Sequence, residues 1–246
     1  MKAALAGHRC SYPRQTTSPG LVFLLLVLGA CQAMPPAGDT AVTAAPIEVA
    51  PTIPADTPRF LVDPDVSEIR LLVYRAGALA RFGHNHVISG PVHGEIRAGE
   101  GTAASSFRLQ IPVESFNVDP RAARAEEGEE FAAEVSEQAR QATRENMLGK
   151  EVLDSENHPL IQIESVALVG PRWNPTVVAR ASLHGMTRYL RFPAAVIHQG
   201  DLLTVVATFR LRQSDFDLTP FTVLGGGLRV RDAIDIRLRI VARRAN

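Results

Sequence analysis

Cysteine is nearly missing from this chain: its 246 residues hold only Cys10 and Cys31. Neither is placed to give a folded domain a disulfide, so the fold has to be held by packing. A basic excess is missing too. The 26 Lys and Arg are balanced by 26 Asp and Glu, which removes the electrostatic attraction that nucleic-acid binding draws on. No apolar run is long enough to cross a bilayer as a helix, a task that takes about 20 residues. Catalytic groupings are lacking as well. Ser214-Asp215, and Ser182 with His184, pair hydroxyls with an acid or an imidazole, but none sits in a G-x-S-x-G elbow. Gly225-Gly226-Gly227 precedes a strand pattern with no lysine after it, so it reads as a turn and not a phosphate cradle. No catalytic residue and no cofactor is assigned, and the chain reads as a non-enzyme.

What is present begins at the N-terminus. Lys2, His8, Arg9 and Arg14 precede the unbroken apolar stretch Leu21 to Ala30, with no acidic side chain among them. That is the make-up of a secretory signal, with a core of about ten residues. Leu28-Gly29-Ala30-Cys31 resembles the bacterial lipobox. The resemblance implies cleavage before Cys31, acylation of Cys31, and anchoring at the membrane on the periplasmic side; Gln32 in the next position implies the outer membrane. An ordinary signal peptide cut nearby is the alternative. The removed segment, residues 1–30, carries three of the 26 basic residues and no acid, leaving the remainder at about −3. Residues 31–58 follow with six prolines, many Ala and Thr and no aromatic, a composition that reads as an extended tether.

From residue 59 to 246 the pattern changes to period two. Ile69, Leu71 and Val73 alternate with Glu68, Arg70 and Leu72. Phe107, Leu109, Ile111 and Val113 alternate with Arg108, Gln110 and Pro112. The same alternation recurs around Ile161 and Ile163, Val205 to Leu211, and Ile234 to Ile240. Strands of this kind have one wet face and predict an antiparallel all-β domain, a sandwich or a closed barrel. One segment departs from it. Asp119-Pro120 reads as a helix start, and residues 120–149 carry Phe131, Val135, Ala139 and Ala142 at helical spacing, with an interruption at Gly128. The run Glu126 to Glu130 reads as the solvated face of this insert.

Four segments resemble the YceI-like family. His86 and Gly94 stand eight residues apart in HNHVISGPVHGEI. Asp154, His158, Pro159 and Ser165 stand in VLDSENHPLIQIES, after Asn146-Met147-Leu148. His184, Gly185, Thr187 and Arg188 occupy a hairpin-like turn, and Ser214, Asp215 and Phe216 lie near the C-terminus. Gln213 and Asp217 depart from the family's usual arginine and glycine. The resemblance covers about residues 60 to 243. It implies an antiparallel eight-stranded lipocalin-like β-barrel with one inserted helical segment, and a ligand of isoprenoid type, such as a quinone or a polyprenyl phosphate.

A barrel of eight strands either fills with side chains or holds one small ligand. The lining expected for a lipid tail is Leu71, Val73, Phe107, Leu109, Ile163, Phe209 and Ile236; the contacts expected for a head group are His84, His86 and Asp215. The partners are then an isoprenoid-type lipid and the membrane through lipidated Cys31, with no nucleic acid. The sequence leaves protein partners unknown. Two other readings stay open. A metal- or haem-handling protein would use His84, His86 and His93, with His184 or Asp215 completing the ligand set; a barrel packed solid would serve interaction alone. No metal ligand is assigned. His184 reads as a turn residue, and His158 and His198 as surface loops.

Overall fold

The computed structural model describes residues 40–43 and 53–245. The signal segment, Cys31 and most of the proline-rich stretch lie outside these residues. Within that stretch, Ala41–Thr43 forms a strand, β1. The domain proper opens with β2 (Arg59–Val62), β3 (Glu68–Val73) and β4 (Arg75–Ala76). Next come β5 (His86–Pro91), β6 (His93–Arg97), β7 (Ser106–Pro112) and β8 (Asn117–Val118). Two helices, α1 (Arg121–Ala125) and α2 (Glu137–Leu148), separate these from β9 (Leu160–Val169), β10 (Thr176–Leu183) and β11 (Met186–Pro193). β12 (Ala195–Gln199), β13 (Leu202–Arg212), β14 (Thr222–Val223), β15 (Leu228–Val230) and β16 (Ala233–Arg244) complete the chain.

Thirteen of these strands make one curled antiparallel sheet, while β14, β15 and β4 make a small second one. The expected count of eight is exceeded because long strands are broken. β2 stops at Val62 and resumes as β3. At that break the Ser67 hydroxyl replaces the missing ladder, accepting from the Val241 N–H at 2.9 Å and donating to its carbonyl at 3.2 Å. β5 passes into β6 through buried Val92, and β11 into β12 through buried Ala194. Gly94 makes the first of these passages possible. Its φ is +143°, and a Cβ there would lie 2.1 Å from the Arg108 carbonyl oxygen, so only glycine fits so close to the neighbouring strand.

β16 is the central stave. It pairs with β13 along its whole length and, on its other edge, with β3 and then β2. From β2 and β3 the ladders continue through β6 and β5, β7, β9, β10 and β11. β12 pairs with β13. β1 lies on β11, with Val42 opposite Leu190, while the Thr40 N–H donates to the Arg210 carbonyl of β13. The inner faces supply the main core, including Phe60, Leu109, Ile111, Ile236, Leu238 and Ile240. Phe192 and Phe209 stack across it with ring centroids 4.2 Å apart.

The helical insert is broken near Gly128 as expected, by a 3-10 turn at Glu129–Phe131. Its start differs. Asp119 does not cap α1; with φ +53° it turns its carboxylate inward, and Pro120 takes the cap position. α2 is capped by Ser136, whose hydroxyl accepts from the Ala139 N–H. The insert covers the outer face of the sheet: Leu72 and Val87 are buried there under Ala123 and Phe131. The Glu126–Glu130 run is therefore not uniformly wet. Glu127 has a side chain only 1% exposed, paired with Arg70 at 3.0 Å and Arg237 at 2.7 Å. A short acidic side chain facing two sheet guanidiniums is drawn in, where its neighbours stay in water.

Candidate ligand-binding site

The alternating strands leave space inside. Two cavities, of about 400 and about 450 Å³, lie within the curl and share Ile69, Ile163, Leu190 and Phe209 as a common waist. All seven expected lining residues border them. Leu71, Val73 and Ile236 line the first cavity, Phe107 and Leu109 the second, and Ile163 and Phe209 belong to both. Sequence alternation did not anticipate the walls that come from outside the sheet. Met147 of α2 and Val152 and Leu153 after it line the first cavity, as do Val223, Leu228 and Val230 near the small second sheet. Those residues sit in segments without period-two patterning.

Polar side chains join the lining of the first cavity from several elements: His84 and His86 flanking Asn85, and Arg75, Asn146, Arg212 and Arg229. His84 and His86 both line it, with ring centroids 6.4 Å apart. Five hydrogen bonds fix the geometry. His86 Nδ1 is 2.7 Å from an Asp119 oxygen. The second Asp119 oxygen accepts from the Val87 N–H at 2.9 Å and from Arg124 at 2.5 Å. Asn85 accepts from the Arg75 N–H and donates to the Glu130 carbonyl, both at 3.0 Å. Asn85 therefore ties this stretch of chain to the insert, and Asp119 orients His86, leaving Nε2 as the unused ring nitrogen. This is the arrangement by which a carboxylate sets an imidazole's tautomer.

Burial alone would raise the Asp119 pKa, yet the His86 bond, the Val87 N–H and the Arg124 guanidinium hold it below the usual carboxylate range. The His84 pKa is pushed down, first by burial and then by the nearby His86 and Arg124 charges. A neutral His84 offers one donor and one acceptor at the mouth of an apolar cavity. Behind it, Tyr74 donates to Asp235 at 3.0 Å and Arg210 clamps the same carboxylate through two bonds at 2.6 and 3.1 Å. Burial first, and then the Asp235 charge, pushes the Tyr74 phenol up, so it stays a neutral donor.

Two expectations are corrected. Asp215 does not border either cavity; its carboxylate accepts from the Arg212 N–H at 3.3 Å, closing the 3-10 turn that buries Phe216. His93 does not join His84 and His86. It is exposed at the start of β6, opposite Gln110 of β7, because the passage through Val92 carries it onto the outer face. His184 is elsewhere too, against His158 with ring centroids 4.9 Å apart. Among the described residues no helix is long and apolar enough to cross a membrane.

Comparison with known proteins matches residues 60–242 to the family described as YceI-like domain. No curated protein matches. Among solved structures, Burkholderia cenocepacia BcnA aligns at 14% identity with a TM-score of 0.51, over 73% of this chain and 98% of its own. A Campylobacter jejuni YCEI protein aligns at 11% identity with a TM-score of 0.44, over 63% of this chain and 81% of its own.

Proposed function

Because this chain belongs to the YceI-like family, a lipid- and isoprenoid-binding fold, we propose that it is a periplasmic carrier of an amphiphilic isoprenoid-type lipid, a quinone or a polyprenyl phosphate, tethered to the outer membrane through acylated Cys31. The broken strands act as eight staves: β2–β3, β5–β6, β7, β9, β10, β11–β12, β13 and β16. Their ladders return from β16 to β2–β3, which makes a lipocalin-like barrel, with β1 laid over the seam between β11 and β13.

The observation that carries this reading is the pair of apolar cavities joined at Ile163 and Phe209. A hydrocarbon tail threaded through that waist leaves water at a gain of about 25 cal/mol per Å² of apolar surface. Each cavity falls in the range of roughly 300–1,000 Å³ usual for ligand pockets. His84 and His86 hold the head group: a phenol or quinone oxygen meets the neutral His84 imidazole and the His86 ring that Asp119 orients. Members of the family are binding proteins rather than enzymes, and the site holds its guest without transforming it.

Mass spectrometry of organic extracts of the purified full-length chain should find a prenyl lipid. Leu109→Asp, which puts a charge in the second cavity, should abolish its uptake while circular dichroism stays native. A folded Leu109→Asp variant that still carries lipid overturns the assignment. The metal or haem reading on His84, His86 and His93 is not favoured, since those three do not converge, and the packed-solid reading conflicts with the cavities.

A further inference from the structure

We propose that Asp154, His158 and His184 form a binding site for a divalent transition-metal ion, independent of the lipid reading. Among the described residues they are the one set of three His, Cys, Asp or Glu side chains whose ligand atoms all lie within 4.8 Å of one another.

The fold brings them together. β9 and β10 are antiparallel neighbours with Gln162 opposite Ser182. The residues just before β9 and just after β10 therefore meet at one end. His158 comes from the first of these, His184 from the β10–β11 turn, and Asp154 from the turn that follows α2. The turn geometry is specific. His184 and Gly185 both have positive φ, +52° and +74°, the two-residue reversal in which both central residues are left-handed. A side chain at Gly185 would put its Cβ 3.1 Å from His158 Cε1, so glycine makes the space in which the His158 imidazole stands. Asp154 is also left-handed, at +45°. Both of its carboxylate oxygens accept from the Asn157 side-chain amide, at 2.9 and 3.0 Å, the outer support that ligating carboxylates ordinarily have.

Two imidazoles and one carboxylate suit Zn²⁺ and its neighbours in the first transition row, not the all-oxygen preference of Ca²⁺ or Mg²⁺. Three protein donors leave a fourth position for water. Bonds of 2.0–2.1 Å in a tetrahedral site put donors about 3.3 Å apart, so the three side chains close on the ion by rotation. All three are partly exposed, which leaves a path for the ion to enter. Val152, Leu153 and Leu183, each within two residues of a donor, line the first cavity. The ion would thus pin the turn after α2 to the β10–β11 hairpin along that rim.

The test is Zn²⁺ titration of the full-length chain, purified in detergent and stripped of metal, followed by calorimetry and thermal melting. One ion per chain and a raised Tm are expected. His158→Gln and His184→Asn, the latter chosen to keep the left-handed turn, should each weaken binding at least tenfold, and the double variant should show none. His84→Gln with His86→Gln should bind as the parent does. X-ray absorption on the Zn²⁺-loaded parent should show two imidazole ligands, a readout that needs no variant to fold. The proposal fails if the parent takes up no stoichiometric Zn²⁺, if the 158/184 double variant binds undiminished, if the 84/86 pair abolishes binding, or if fewer than two imidazoles are seen.

Discussion

Asp119 shows how one side chain can be read correctly as polar and wrongly as to purpose. Before a proline it looks like a helix cap, but its carboxylate is 0% exposed and satisfied by His86, Arg124 and the Val87 N–H. Its folded pKa lies below the unfolded value. A depressed carboxyl contributes stability that is present above the unfolded pKa and is lost as pH falls through the folded one. His84 adds to the same trend, because the unfolded chain takes up a proton there before the folded one does. Asp119→Asn keeps a residue that tolerates positive φ but leaves Arg124 without its anion. It should cost about 3 kcal/mol at neutral pH. Urea unfolding at several pH values checks this: the gap between parent and variant should narrow below about pH 4, where the unfolded carboxyl protonates. A gap constant from neutral to acid pH would mean the charge is not what matters.

The insert shows the same lesson for a whole element. Among the contacts that hold it to the sheet are two of different kinds, the apolar patch of Ala123 and Phe131 on Leu72 and Val87, and Glu127 between Arg70 and Arg237. Glu127→Ala takes the buried carboxylate from Arg237 and leaves the mostly buried Arg70 with Glu68 and Glu126 alone. The expected loss is about 2 kcal/mol, and hydrogen exchange should quicken first in residues 121–131; protection unchanged there would show that the apolar patch alone suffices. The sequence made the strands and the insert readable because alternation and helical spacing are local. The seven residues expected to line a cavity do border one, since a period of two assigns faces. The sequence could not tell that Glu127 differs from the acids beside it, that Leu72 faces a cover rather than water, or that His93 and Asp215 turn away from the cavity. Each of those depends on which distant element lies opposite. The assembly of Asp154 and His158 with His184 was hidden for the same reason: a ladder between β9 and β10 joins positions that the chain keeps far apart.

For the molecule as a whole, the proposed function makes address and cargo separable. Cys31→Ser should remove acylation, so that fractionation finds the chain soluble in the periplasm with its prenyl lipid still extractable; a variant that stays in the membrane fraction would mean that something other than Cys31 holds it there. The position of β1 then sets a length. Because Ala41–Thr43 is already stitched to β11, the leash from an acylated Cys31 ends at Thr40 rather than at residue 58. Fully stretched, that leash reaches roughly 30 Å, less than the width of about 40 Å expected for a domain of this size. A cargo molecule leaving the bilayer would therefore travel no farther than a berth moored at the quay.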